Sequence, residues 1–192
     1  MRRVAALIIL LGLIACGRGE TRPGADDISG VMPDLSFRMT RASDGTTVTA
    51  NSYRGKAVLL YFGYTHCPDE CPTTLANLAN VLHDLGPRAK NVRVLFVSVD
   101  PARDTLPILK AYVATFAPQI EGLRGTDDQI AALARRYRVL YQVTPASAGK
   151  DAEVMHSDST FFFDPSGRAR LVTTSTDDTK AIAADVTRLF QS

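Results

Sequence analysis

Residues 56–63 read KAVLLYFG, and residues 64–73 follow at once with YTHCPDECPT. The first segment is a continuous apolar run of strand length, which is typical of a strand covered on both faces of a sheet. The second segment carries Cys67 and Cys71, and it ends near Pro72, a residue that suits the first turn of a helix. Together they predict a buried strand, a loop with two cysteines and the start of a helix.

The sequence on either side continues this alternation. Leucines and an alanine recur at helical spacing after Pro72, and Gly86 with Pro87 ends that helix. A second buried strand is predicted over 92–99. Thr126 and Gln129 form a capping box for a helix that runs to Tyr137. Further strands are predicted over 33–40, 47–51, 139–143, 160–164 and 168–173, and further helices over 105–116 and 177–190.

This order predicts an α/β fold with a central, mainly parallel sheet and helices on both faces. Cysteines at the junction of a buried strand and a helix N-terminus are a thioredoxin-like arrangement. The helix dipole there favours a thiolate over a thiol, which makes a cysteine nucleophilic or a ready metal ligand.

The spacing of Cys67 and Cys71 is C-x3-C, where thioredoxins have C-x2-C. Across the start of a helix, such residues have Cα atoms about 6 Å apart. A disulfide can bridge that distance, and two sulfurs can also converge on one metal ion. An inert structural disulfide is the third reading. It is disfavoured because closing so short a loop removes little entropy from the unfolded chain.

Two thiolates select soft Cu(I), and a third ligand would hold copper more firmly. The chain has three histidines. His66 adjoins Cys67, and because neighbouring side chains diverge, an electrostatic or structural role is predicted for it. His83 lies on a predicted helix and is interpreted as a surface residue. His156, just before the strand near Thr160, is a candidate ligand whose role the residues alone leave open.

The first residues are interpreted as a targeting segment. Arg2 and Arg3 precede an apolar run that ends in Leu-Ile-Ala and then Cys16, which resembles a bacterial lipobox. We expect a signal peptide over 1–15, a flexible tether over 16–32 and a thioredoxin-like copper-binding domain over 33–192. Lipidation of Cys16 would anchor the chain to a membrane of the bacterial cell envelope, with its domain outside the cytoplasm. The alternative is a secretory signal cut elsewhere, with Cys16 incidental.

The charge balance argues against a nucleic-acid partner. The formal net charge is +2, and without Arg2 and Arg3 the chain carries 20 basic and 20 acidic residues. Phosphate binding needs a concentrated basic face, which a balanced composition does not provide.

Three blocks resemble the Sco/SenC family. They are residues 61–75 (YFGYTHCPDECPTTL), residues 97–105 (VSVDPARDT), and His156-Ser157 followed by FDPSG at 163–167. The resemblance runs from about Pro33 to the C-terminus. It implies a thioredoxin fold, one copper ion, Cu(I) or Cu(II), bound by Cys67, Cys71 and His156, and assembly of the dinuclear copper centre of cytochrome c oxidase. The implied partner is the oxidase subunit that binds copper.

Two positions near these blocks leave questions open. Asp100 follows the predicted strand 92–99, where sites of open α/β sheets gather, so it either tunes the site or serves as a turn residue before Pro101. Many family members carry Asp immediately before the histidine, whereas this chain has Met155. Asp158 is the candidate substitute for that carboxylate, and the Met155 thioether is a candidate soft donor.

Three functions use such a site. A copper chaperone, which is not an enzyme in the turnover sense, is favoured over a thiol-disulfide oxidoreductase that reduces cysteines of an oxidase subunit. Both use Cys67 and Cys71 as a redox-active or metal-binding pair, but only copper transfer needs His156. A peroxidase of the peroxiredoxin type is disfavoured, because its Thr-x-x-Cys pattern is absent: Tyr64 stands three residues before Cys67.

Overall fold

The computed structural model describes residues 24–144 and 153–191. Within these residues the chain forms ten strands and four α-helices. The strands are β1 (Asp26–Asp27), β2 (Arg38–Arg41), β3 (Thr47–Thr49), β4 (Ala57–Gly63), β5 (Val92–Ser98), β6 (Ile120–Arg124), β7 (Tyr141–Thr144), β8 (Glu153–His156), β9 (Thr160–Phe163) and β10 (Ala169–Thr173). The helices are α1 (Glu70–Asp84), α2 (Leu106–Ala114), α3 (Asp127–Arg136) and α4 (Thr179–Arg188), with short 3-10 turns at Ala50–Tyr53 and Gly86–Asn91.

Eight strands form the main sheet in the order β1-β10-β9-β4-β5-β6-β2-β3, and β7 pairs with β8 in a separate ribbon. The predicted α/β class is confirmed, but the sheet is more mixed than expected. The pairs β4–β5 and β5–β6 are parallel, whereas the other five pairings are antiparallel. The hairpin turns after Arg41 and Phe163 account for two of these pairings. The pairs β1–β10, β2–β6 and β4–β9 join strands far apart in the sequence, and a local pattern does not reveal their relative direction.

Helices cover both faces of the sheet, as expected. All seven residues of β4 are buried. One face is covered by α1, which packs against α4. On the other face, Phe161 and Phe163 lie opposite Leu60 and Val58 in the register, and both contact the ring of Tyr137 at the end of α3. The central strands are therefore enclosed on both faces, and the loop that carries the cysteines leaves β4 at its carboxyl end.

The final residues of the expected tether lie against the domain. The Ala25 amide donates a hydrogen bond to Asp185, 2.9 Å away, and β1 pairs with β10. Ile28 packs against the core. This contact uses backbone pairing and one buried carboxylate, features that a polar, glycine-containing sequence does not reveal. Residues 1–23, including the predicted signal peptide and Cys16, lie outside the described residues.

The turn between β9 and β10 is held by Asp164, whose side chain is 1% exposed. Burial raises its pKa, but hydrogen bonds from Ser166 and Arg168 outweigh burial and hold that pKa below the ordinary 3.8. We expect Asp164→Ala to lower the free energy of unfolding by about 2–3 kcal/mol at pH 7, because several donors lose their acceptor.

A lowered folded-state pKa makes this contribution complete above the ordinary pKa of aspartate and reduces it as the pH falls through the folded value. Urea unfolding from pH 7 down to pH 3 measures the effect, with exposed Asp34→Ala as the control. A penalty for Asp164→Ala that stays constant as the pH falls through this window would contradict a charge-based origin.

Candidate metal centre

The two cysteines lie where β4 passes into α1. Cys71 occupies the first turn of α1 and is fully buried, whereas Cys67 lies in the preceding loop and is half-buried. The Cys71 amide donates a hydrogen bond to the Cys67 sulfur at 3.3 Å. The start of the helix thus aims an N–H group at a sulfur, which is an arrangement that stabilises negative charge there.

Gly63, the last residue of β4, allows the buried cysteine to approach the sheet closely. A Cβ atom at this position would lie 2.8 Å from the Cys71 sulfur and 2.5 Å from the Phe96 ring. Both distances are shorter than van der Waals contact allows. A side chain here would therefore displace Cys71, so the glycine at the end of the apolar run is required by the site.

His156 reaches the cysteines from the end of β8. Its Nε2 lies 3.2 Å from the Cys71 sulfur, and its Nδ1 lies 3.2 Å from the Ser157 carbonyl oxygen. Because a carbonyl only accepts, the proton belongs on Nδ1, and Nε2 keeps its lone pair for Cys71 or for a metal. The imidazole is 4% exposed, so it is held in this orientation.

The ligand atoms of Cys67, Cys71 and His156 all lie within 4.8 Å of one another. A three-coordinate ion with bonds of about 2.0–2.3 Å would hold such atoms about 3.7–4.0 Å apart. Small side-chain movements would therefore bring all three ligand atoms within bonding distance of one ion. Two sulfurs and one imidazole nitrogen are soft and borderline donors, which fit copper and disfavour hard cations such as Mg²⁺ or Ca²⁺.

Burial modifies the expected thiolate character. It raises the pKa of Cys71, and the neighbouring Cys67 raises it further, against the opposing effect of a backbone hydrogen bond at Tyr64. At neutral pH the metal-free Cys71 is therefore a thiol that donates to His156 Nε2. A metal binding here must displace that proton, which couples binding to pH.

Aromatic rings fix the imidazole further. The rings of Tyr61 and Tyr64 meet the His156 ring edge-on, with centroids 6.0 and 5.9 Å away. The Arg103 guanidinium lies over the Tyr64 ring, 5.8 Å from its centroid. Asp100 pairs with Arg103 and contacts neither cysteine. Its connection to the site is therefore indirect, through Arg103 and Tyr64.

Asp104, for which no role was predicted from the sequence, anchors the cysteine loop. This carboxylate is fully buried and accepts hydrogen bonds from the Thr65 amide at 3.1 Å, the Thr65 hydroxyl at 2.6 Å and the Ser98 hydroxyl at 2.6 Å. It thereby ties the loop before Cys67 to the end of β5. A usable signal was its position just beyond the carboxyl end of a central strand.

The other candidate residues from the sequence lie outside the group of three converging ligand atoms. His66 is half exposed, lies 3.7 Å from Asp104 and is not one of the three residues whose ligand atoms converge. His83 is 90% exposed. Met155 is 61% exposed, because alternate residues of β8 point to opposite sides. Asp158 lies 3.9 Å from His156 Nδ1, which is too far for a direct hydrogen bond.

An α/β domain with two thiols and one oriented imidazole at the junction of a buried strand and a helix defines a thioredoxin-like protein with a soft-metal site. The sequence model of the SCO1/SenC family matches residues 33–191. The chain belongs to this family, as the sequence analysis predicted.

Relatives of known structure have the same architecture. Bradyrhizobium japonicum ScoI with copper bound is 36% identical, with a TM-score of 0.75, and the match covers 82% of this chain and 99% of that one. Yeast Sco1 with copper bound is 31% identical, with a TM-score of 0.76, and the match covers 84% of this chain and 90% of that one. The thioredoxin-like fold is thereby confirmed.

Curated relatives include the mitochondrial SCO2 homologue of Bos taurus, which is 44% identical over 117 residues, 60% of this chain and 44% of the relative. The human mitochondrial SCO1 homologue is 36% identical over 125 residues, 64% of this chain and 42% of the relative. The match thus spans less than half of these longer proteins.

Proposed function

We propose that this chain binds one copper ion through Cys67, Cys71 and His156 and delivers it to the copper-binding subunit of a cytochrome c oxidase. The carrying observation is the convergence of two sulfurs with an imidazole whose Nδ1 is held by Ser157 and whose Nε2 faces Cys71. Copper-bound relatives of the same fold support the choice of metal. The family resemblance supports the oxidase partner.

Differences in exposure among the ligands suit a delivery role. Cys71 and His156 are enclosed by the core, whereas Cys67 is half-buried at the surface of its loop. A partner's ligand can therefore replace Cys67 first, while the other two residues hold the ion.

The deciding experiment is an anaerobic titration of the reduced domain with Cu(I) and Cu(II), followed by spectroscopy and metal analysis. A reduced domain that binds one equivalent of neither Cu(I) nor Cu(II) would overturn the proposal.

A thiol-disulfide oxidoreductase is the second candidate function. Cys67 is accessible to an incoming disulfide, and its sulfur is 3.3 Å from the Cys71 amide, close enough for the two cysteines to act as a pair. This reaction needs two thiols and no imidazole ligand. The two functions therefore differ in their requirement for His156, so a variant without this imidazole distinguishes them.

We further propose that Cys16 is lipidated and tethers the domain to a membrane of the bacterial cell envelope, outside the cytoplasm. No helix within the described part of the chain is long and apolar enough to span a bilayer. The proposal rests on the apolar run that ends at Cys16.

We expect Cys16→Ser in the full-length chain to move the protein from the membrane fraction to the soluble fraction or to block its maturation. Cell fractionation with immunodetection measures this. Cys67→Ser is the matched control, because it removes a cysteine but leaves the lipobox intact, and it should stay in the membrane fraction. A Cys16→Ser protein that is processed and remains membrane-bound like its parent would remove the lipid anchor from the proposal.

A further inference from the structure

A tyrosine hydroxyl beside the metal centre is buried without a hydrogen-bond partner. Tyr61, in β4, is 0% exposed, and within residues 24–144 and 153–191 its hydroxyl makes no hydrogen bond of normal geometry, although the Thr74 and Cys71 side chains lie close enough to act on it. An unpaired buried hydroxyl destabilises the folded state, because water solvates it in the unfolded chain. Phenylalanine would fill the same space without that cost, so the hydroxyl calls for an explanation outside folding.

The position of Tyr61 supplies one. Residues 61 and 63 of β4 point to the same face of the sheet, and a Cβ at Gly63 would lie 2.8 Å from the Cys71 sulfur. The Tyr61 ring also meets the His156 ring at 75°. Tyr61 therefore borders both of the buried candidate ligands. A phenol hydroxyl is protonated at neutral pH, so this group can donate a hydrogen bond.

We propose that Tyr61 is a positioning residue of the copper site, whose hydroxyl donates a hydrogen bond to the Cys71 sulfur when that sulfur is a metal-bound thiolate. In the metal-free protein the Cys71 thiol donates to His156 Nε2 and is only a weak acceptor. Metal binding removes the thiol proton and leaves a charged sulfur, which is a much stronger acceptor. This inference rests on the copper-binding function proposed above.

The proposal gives Tyr61→Phe opposite effects on the two states. The metal-free variant loses an unsatisfied hydroxyl, so its unfolding midpoint should rise by about 2–4 °C. Its Cu(I) affinity should fall about tenfold, which corresponds to about 1.4 kcal/mol, because the bound thiolate loses a donor. In the Cu(II) complex, the sulfur-to-copper charge-transfer band should move to longer wavelength, since a thiolate without that hydrogen bond gives up electrons more readily.

The measurements are calorimetry on the metal-free variant, competition with a chromogenic Cu(I) chelator, and absorption spectra of the Cu(II) form. Tyr137→Phe is the control, because this buried hydroxyl already donates to the Asp34 carbonyl at 3.0 Å, away from the site. It should lower the unfolding midpoint and leave copper affinity and spectrum unchanged.

A Tyr61→Phe protein with parental copper affinity and an unshifted band would overturn the inference, and so would a lowered midpoint in the metal-free state. The parent protein separates this failure from failure of the copper function itself. If the parent binds one copper, only the role of Tyr61 is rejected. If the parent binds none, the proposed function is rejected as well.

Discussion

Replacing His156 with alanine is expected to abolish detectable Cu(II) binding and to weaken Cu(I) binding by a smaller factor. With the imidazole present, the ion has two sulfurs and one nitrogen within 4.8 Å of one another. Without it, two thiolates remain, which can hold Cu(I) in a linear arrangement but poorly support Cu(II). Anaerobic titration of the reduced variant with each copper state measures the difference.

The same variant should keep its disulfide chemistry. Thiol exchange depends on thiolate character, access and helix position, none of which needs an imidazole ligand. His66→Ala is the matched control, since His66 lies in the cysteine loop but outside the metal-binding group. It should bind both copper states like the parent. Unchanged binding of both states by His156→Ala would remove His156 from the site.

In cells, His156→Ala separates the two candidate functions. If copper delivery is the task, the variant should fail to load the oxidase, and oxidase activity should fall. If the task is only to reduce cysteines of the oxidase subunit, activity should persist, because Cys67 and Cys71 are intact. Normal oxidase activity in a variant shown to have lost copper binding would therefore favour the thiol reductase.

The strand-to-helix junction was predictable from the sequence because its signals are local. Seven apolar residues in a row require a strand enclosed on both faces, and β4 is buried throughout. Pro72 and the leucine spacing defined α1. The capping box was equally local: Thr126 accepts from the Gln129 amide, and Gln129 reciprocates. Each of these features depends on residues within one short, continuous segment of the chain.

The strands β6 and β8 were not predicted, because their stability comes from distant partners. In β6, Glu121 lies within a buried strand and is held by Tyr53 at 2.7 Å and by Arg93 at 3.0 Å. From the sequence alone, its charge argues against a strand. The ribbon of β7 and β8 places residues 141 and 156 opposite each other across an intervening segment. The strand propensity of the local sequence does not predict that pairing.

The ligand role of His156 illustrates the same limit. The residues alone left it open, and the family resemblance supplied the expectation. What the sequence lacked was the distance between Cys71 and His156, which are 85 positions apart, and the Ser157 carbonyl that sets the tautomer. Asp104 was missed for a related reason. Its partner Thr65 is 39 positions away, and a buried carboxylate looks like any loop aspartate until its donors are known.

Oxidation of the cysteine pair is expected to lower copper affinity by roughly a thousandfold or more. A bond between Cys67 and Cys71 consumes both sulfur ligands and leaves His156 as the sole member of the group. Both cysteines are free in the structure, and the Cys71 amide lies 3.3 Å from the Cys67 sulfur, so the pair can close with little backbone movement. Metal and disulfide are then mutually exclusive states of the same site.

The experiment compares the fully reduced and fully oxidised domain in one titration series, with one equivalent of copper expected only for the reduced form. Copper should in turn protect the half-buried Cys67 thiol from alkylation, read as the mass of the modified protein. Cys71→Ser provides the comparison, because it cannot form the bond and should bind copper weakly with or without oxidant. Equal copper affinity of the reduced and oxidised parent would show that the ion is not held by the two sulfurs. Alkylation of Cys67 at the same rate with and without copper would remove this sulfur from the ligand set.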